Sequence, residues 1–416
     1  TYSSNNNDLI EVTGSTVGYV NDNTSHTWKK DGAPYVISED LTIVGDGNGN
    51  TNRLSTLIIE SGVTVKFKEG VDLFIGSGDN GDGGKLQATG VVFEGYSTGG
   101  WRGIDFADFS YAEIDSSTIK GVVDVAIDLD GSDPIIKNST IKDSKKGIVA
   151  NSSSMPQVHN VSFDNIDELI ISTYITMIDS NFSNITVSNS TADTFITVQG
   201  DHLNSSGVTY DWLNAGIPYN IPGHLKVYEN NGGASADSDA ATLKLYPGAV
   251  LQFKKDKYLT IGNNGGERGK LEADGATFTA TDPNQRWLGI DFHDGAVDGM
   301  TLSNATIEYA DSPIEIHGGW YGNFKNNIIR HSAWGVYANS DDKRVRVTGN
   351  TFSHLSRAPF SFNANGIDST FYGNTYSDLD SAYSYIDVRS DHLSSSQTTY
   401  DWLNAGIPYN IPGHLK

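Results

Sequence analysis

The chain has 416 residues, no cysteine, 45 glycines, and 51 acidic against 28 basic residues, for a formal net charge of −23. That excludes a disulfide framework and thiolate metal sites, and it argues against nucleic acid or anionic lipid as a partner. No run of 18 apolar residues offers a transmembrane segment, and no leader pattern heads the sequence, which reads as a processed or trimmed chain.

A short alternating strand, Leu9-Ile10-Glu11-Val12, comes first, followed by Trp28, Pro34 and Tyr35. Regular strands follow at Leu57–Ile59, Val63–Phe67, Leu73–Ile75, Lys85-Leu86 and Val91–Phe93, and then WRGIDF at Trp101–Phe106. Beyond it Thr118-Ile119, Thr140-Ile141, Ser162-Phe163 and Asn181-Phe182 recur at spacings of 22, 22 and 19. A second short strand follows roughly midway to the next, as at Val125–Ile127 and Gly147–Val149. After Phe195–Val198, the stretch Thr209–Lys226 repeats the opening pattern with Trp212, Pro218 and Tyr219. A second body then retraces the first: Phe253 answers Phe67, Gly262 answers Gly76, Lys270-Leu271 answers Lys85-Leu86, and WLGIDF at Trp287–Phe292 answers WRGIDF. Thr306-Ile307, Ile328-Ile329, Thr351-Phe352 and Thr375-Tyr376 carry its short period of 22 to 24. Finally Tyr385–Val388 leads into Thr399–Lys416, which copies Thr209–Lys226 without a change and places Trp402, Pro408 and Tyr409.

Two periods are therefore nested. The exact copy of Thr209–Lys226 at Thr399–Lys416 marks a tandem array, and the short β strands recurring at the closer spacing mark single turns of a solenoid. Each turn exposes an apolar face that only the next turn covers. The expected fold is all-β: a right-handed parallel β-helix in two tandem units joined by W-x5-P-Y junctions. The expected boundaries are 1–27 for the terminal strand and lead-in, 28–208 for unit 1, 209–398 for unit 2, and 399–416 for the start of a third unit.

The block of alternating strands with its W-x-G-I-x-F strand, continuing into Asn-rich coils, resembles the secreted right-handed parallel β-helix repeat proteins of bacteria and archaea. Over nearly the whole chain the resemblance implies that fold, and an extracellular or cell-surface place such as a sheath, surface layer or filament. It does not imply an activity, because the fold carries lyases, hydrolases, adhesins and surface-layer components alike.

The chemistry is read against that background. Pectinase-type hydrolases carry an Asp cluster, a Gly-His-Gly turn and an Arg-x-Lys strand, and no such set is present. Asp105/Asp108 and Asp291/Asp294 are the best carboxylate candidates, because both units carry them beside a Trp and alternation turns Asp105 outward. Asp79 and Asp82, with Asp128, Asp130 and Asp133, offer clustered oxygens on Gly-permitted turns, which is what calcium takes; otherwise no cofactor is expected. The histidines show no metal-ligand spacing, and His202, His224, His392 and His414, which recur with the junction, read as structural. Trp320, Tyr321 and Trp334 stand only in the second unit, beside a Gly-rich loop, and could stack on a sugar ring. Acceptors for N-glycosylation stand at Asn23, Asn138, Asn151, Asn160, Asn181, Asn184, Asn189, Asn204 and Asn304, crowded between 138 and 204.

The expected function is structural rather than enzymatic. The assembly residues would be Leu9, Ile10 and Val12 with the three Trp-Pro-Tyr junctions, and the partner a second copy docked head to tail into a fibre. Other surface proteins or glycans are further partners. Two alternatives stay open: a glycan-binding adhesin or stalk, and a β-helical polysaccharide lyase or hydrolase.

Overall fold

The computed structural model describes residues 8–18, 24–45, 54–77, 82–151, 153–230, 236–317, 322–338, 345–367, 371–389, 393 and 399–415. The chain is an all-β parallel β-helix built of short strands, apart from two long ones at Thr140–Ala150 and Ser162–Tyr174 that bend through two sheet faces. It forms two compact units, 1–197 with 215–217, and 198–214 with 218–416.

Unit 1 repeats a three-strand coil. Tyr35–Ile37, Thr64–Phe67, Val92–Gly95, Thr118–Lys120 and Thr140–Ala150 stack in register as one parallel ladder. Leu41–Ile43, Asp72–Ile75, Gly103–Phe106 and Val125–Leu129 form a second ladder, and Ser25–Trp28, Thr56–Ile59, Lys85–Thr89, Tyr111–Asp115 and Ile135–Lys137 a third. Inward positions stack apolar on apolar, as with Leu73, Ile104 and Ile127 (each at most 1% exposed), while Phe74, Asp105 and Asp128, which follow them, are part-exposed. The ladder of Thr118, Thr140 and Ser162 continues at Thr186 rather than at the expected Asn181-Phe182. Phe182 instead pairs with Val158 in the third ladder, four residues before Thr186 as Val158 lies four before Ser162; the one-turn helix Ile175–Met177 lies within the same coil.

Unit 2 repeats the plan. Its second ladder runs through Leu225–Val227, Tyr258–Ile261, Gly289–Phe292, Ile314–Ile316, Val336–Ala338, Phe360–Phe362 and Ile386–Val388. In each unit the W-x-G-I-D-F strand plugs the core. Trp101 stacks on Phe67 at 4.1 Å and Trp287 on Phe253 at 4.5 Å, and both indole Nε1 groups donate to a backbone carbonyl at 2.9 Å. The glycine in that motif is required: at Gly103 and Gly289 φ is +135° and +125°, and a Cβ would lie 1.9 Å from the carbonyl oxygen of Val125 or 1.7 Å from that of Ser312.

Polar side chains inside the coil corners do the work of backbone caps. In unit 2, buried Asn327, Asn350 and Asn374 each donate Nδ2 to a carbonyl of the preceding coil and accept an N–H on Oδ1. Ser117 and Ser139 serve unit 1 more weakly, with one hydroxyl for two tasks. Losing such a buried partner strands both groups. Asn350→Ala should therefore lower the urea stability of unit 2 by about 3 kcal/mol, and Ser139→Ala that of unit 1 by about 1 kcal/mol; circular dichroism of the full chain across a urea series reads both.

A histidine–carboxylate cluster on one outward face

In the second ladder of unit 2, residues alternate in and out. Ile290 and Phe292 are buried, so Asp291 and, two residues on, His293 face outward. One coil later Ile314 and Ile316 are buried and Glu315 and His317 face outward, with Glu315 in register beside Asp291. Stacking thus places two carboxylate-x-histidine pairs side by side. His317 Nε2 lies 3.2 Å from Asp291 Oδ1 and 3.2 Å from Glu315 Oε1, and His293 Nε2 lies 2.9 Å from Asp291 Oδ2. The two imidazoles stack with centroids 5.1 Å apart, and His293 Nδ1 contacts Asn264 Oδ1 at 2.6 Å.

A cleft of about 260 Å³ opens on this cluster, lined by Asp291, Glu315 and His317 with Tyr258, Asp311 and Ser312. Tyr258 is held from behind by the His224 ring, 3.9 Å away. The ion pairs with Asp291, then with Glu315, outweigh burial and raise the His317 pKa to about 9. Burial alone would raise Asp291, but hydrogen bonds from His293 and His317 hold it below the usual carboxylate range. At neutral pH the site therefore presents an imidazolium flanked by two carboxylates, a proton donor with acceptors within reach.

Unit 1 keeps the row and loses the histidines. Asp105 stands where unit 2 has Asp291, Ala107 where it has His293, Asp128 where it has Glu315 and Asp130 where it has His317. Against the pull of Arg102, burial, then the neighbouring Asp72 and Asp128, push Asp105 up to about 7, and burial raises Asp72 to about 6 although Arg102 lies 3.2 Å away.

The other expected site residues are placed as follows. Asp108 and Asp294 are exposed, beyond the ends of their strands. Asp82 accepts from the Ser77 hydroxyl at 3.5 Å. Asp128 faces outward in the row just described, Asp130 accepts from the Asn151 side chain, and Asp133 accepts the Met155 N–H at 2.7 Å. Among the described residues no three His, Asp or Glu side chains are placed to hold a metal together. Asp79, Trp320 and Tyr321 lie outside the described residues, as does Asn23. Trp334 is half-buried, 5.7 Å from Tyr337. Asn138, Asn160 and Asn184, at φ of +52°, +55° and +53°, form an outer ladder on Asp115 in which each Nδ2 donates to the side chain one coil back. Asn189 donates to Asp164 and Asn304 to Asp274, the Asn181 Nδ2 is buried, and Asn204 is half-buried.

The junctions share one pair of contacts. Tyr35, Tyr219 and Tyr409 each pack on Trp28, Trp212 or Trp402 at 4.8–5.0 Å and donate their hydroxyl to the carbonyl of Lys29, Leu213 or Leu403. Half-buried Leu9, Ile10 and Val12 lie along the first one, where Ile10 N–H donates to Pro34 O at 2.9 Å and Val12 pairs with Ile37. Pro408 O takes the Ile386 N–H at the last, and Pro218 precedes fully buried Tyr219.

Sequence reasoning overlooked Glu315, His317, His293 and Tyr258. Their signal was present as Asp291-x-His293 and Glu315-x-His317, two copies of one outward tripeptide set one coil apart.

Residues 269–401 match the family model described as "Right handed beta helix region". No curated protein matches the chain. Among solved structures it is similar to the A-module of the mannuronan C-5 epimerase AlgE6 from Azotobacter vinelandii, at 11% identity and a TM-score of 0.31, over 84% of this chain and 90% of that one. A likeness at that level bears on neither chemistry nor substrate. The chain is by fold a parallel β-helix repeat protein.

The two rows titrate in different windows. A pKa raised by folding means that the folded state binds the proton more tightly, so stability falls as pH rises between the unfolded and folded values. Unit 1 should lose stability from about pH 4 to 7 through Asp105, and unit 2 from about pH 6.5 to 9 through His317. Asp105→Asn should flatten the first slope and His317→Gln the second, read by thermal melts at stepped pH.

Proposed function

We propose that unit 2 carries an acid–base site that acts on a polysaccharide chain laid across its outward face. The observation that carries this reading is His317, charged and held between Asp291 and Glu315 at the mouth of a cleft. A protonated imidazole can give its proton to a leaving sugar oxygen, and either carboxylate can take one from water or sugar. The row of outward side chains recurs coil after coil, which suits a polymer with a repeat of its own. Unit 1, with Ala107 and Asp130 at the histidine positions, is the inert counterpart.

The test is product release from a panel of soluble polysaccharides by the full chain. His317→Gln should lower turnover at least ~100-fold, the usual contribution of a positioned proton donor, while Asp105→Asn in unit 1 should leave it unchanged. Equal turnover by His317→Gln and the unaltered chain would refute the site.

A further inference from the structure

The outward row that begins at Asp291 and Glu315 continues. Tyr337 is in register one coil beyond Glu315, followed by Ser361 and then Asp387. Ser361 is small and its hydroxyl is turned to Asp387 at 2.9 Å. Over that gap the Arg389 side chain reaches back across a coil to Tyr337: its guanidinium carbon lies 4.2 Å from the ring centroid, and Nη1 donates to the phenol oxygen at 2.7 Å. On the same side, the exposed Arg357 lies 5.2 Å from the centre of the Trp334 ring, which is 5.7 Å from Tyr337.

Arg357 and Arg389 stand apart from most of the described arginines. Arg102, Arg268, Arg286 and Arg330 each have a carboxylate within 4.0 Å, as an acidic protein leads one to expect. Arg357 and Arg389 have none among the described residues and rest on aromatic faces instead. Arg389 also keeps Nε and Nη2, two donors on one edge of its fork, buried and without a hydrogen-bond partner. A buried donor left unpaired is costly, and that edge matches two oxygens of one anion.

We propose that Trp334, Tyr337, Arg357 and Arg389 form a subsite for an anionic group on a sugar chain, a carboxylate or a sulfate ester. A sugar ring stacks against the half-exposed aromatic faces, and the two guanidinium groups take the anion, Arg389 turning its free edge outward to do so. The proposal rests on the polysaccharide reading of the neighbouring cleft and adds the class of polymer: acidic rather than neutral. The subsite lies further along the same row, so one chain would meet the arginines at one end and His317 at the other.

The experiment measures binding of the full chain by calorimetry and affinity electrophoresis to polygalacturonate, dextran sulfate and neutral pullulan at fixed low salt. At least one anionic polymer should bind and pullulan should not. Preference for polygalacturonate identifies a carboxylate, and preference for dextran sulfate a sulfate ester. Arg389→Gln and Arg357→Gln should each weaken that binding at least tenfold, whereas Lys145→Gln, removing the same charge from unit 1, should change it less than twofold. A purely structural Arg389 would shift the melting midpoint and leave affinity intact, so equal affinity in both arginine variants overturns the proposal. So does equal binding of pullulan, or failure of the unaltered chain to bind either anionic polymer. His317→Gln separates the two sites: retained binding without turnover supports both, and unchanged turnover with arginine-dependent binding refutes the cleft alone.

Discussion

A β-helical coil cannot stand alone, and nearly everything in this protein follows from that constraint. Each coil offers unpaired N–H and C=O groups on both edges and an apolar interior that only the adjacent coils close. Closure demands register, and register demands the same kind of residue at the same place in successive coils. Ile104 must therefore meet Leu73 and Ile127, and Ile307 must meet Phe278 and Ile329. Corners obey the same rule: Asn327, Asn350 and Asn374 are stacked because each satisfies groups of a neighbour as well as its own.

The outward positions escape the constraint, and there the two units diverge. Backbone and core of the W-x-G-I-D-F coils are alike, yet one presents Asp105, Ala107, Asp128 and Asp130 and the other Asp291, His293, Glu315 and His317. In the first, burial and then the neighbouring carboxylates raise Asp105. In the second, an imidazolium absorbs that repulsion and is itself held charged well above the ordinary histidine range. Packing needs neither arrangement, since all of these side chains lie outside the sealed core.

Much of the fold was legible in the chain because solenoid order is written in linear spacing. The short recurrence named most ladder partners, and it failed at Asn181-Phe182, a third-ladder strand whose polar-apolar pair looks like those of the first ladder. The candidate site was only half legible. Asp291 stood out beside its Trp, but Glu315 and His317 did not, because a histidine draws attention through partners near in sequence and here the partner is a coil away.

The sequence by itself determined the β-helical class, the two nested periods, the buried Trp-Phe plugs and the outward orientation of Asp105 and Asp291. These depend on local alternation and on repetition, which linear order preserves. Tertiary structure alone decided which outward side chains become neighbours: His317 between two carboxylates, and Arg389 over Tyr337 across a serine coil. The physical reason is that those contacts run across coils, where the length of each coil sets the register.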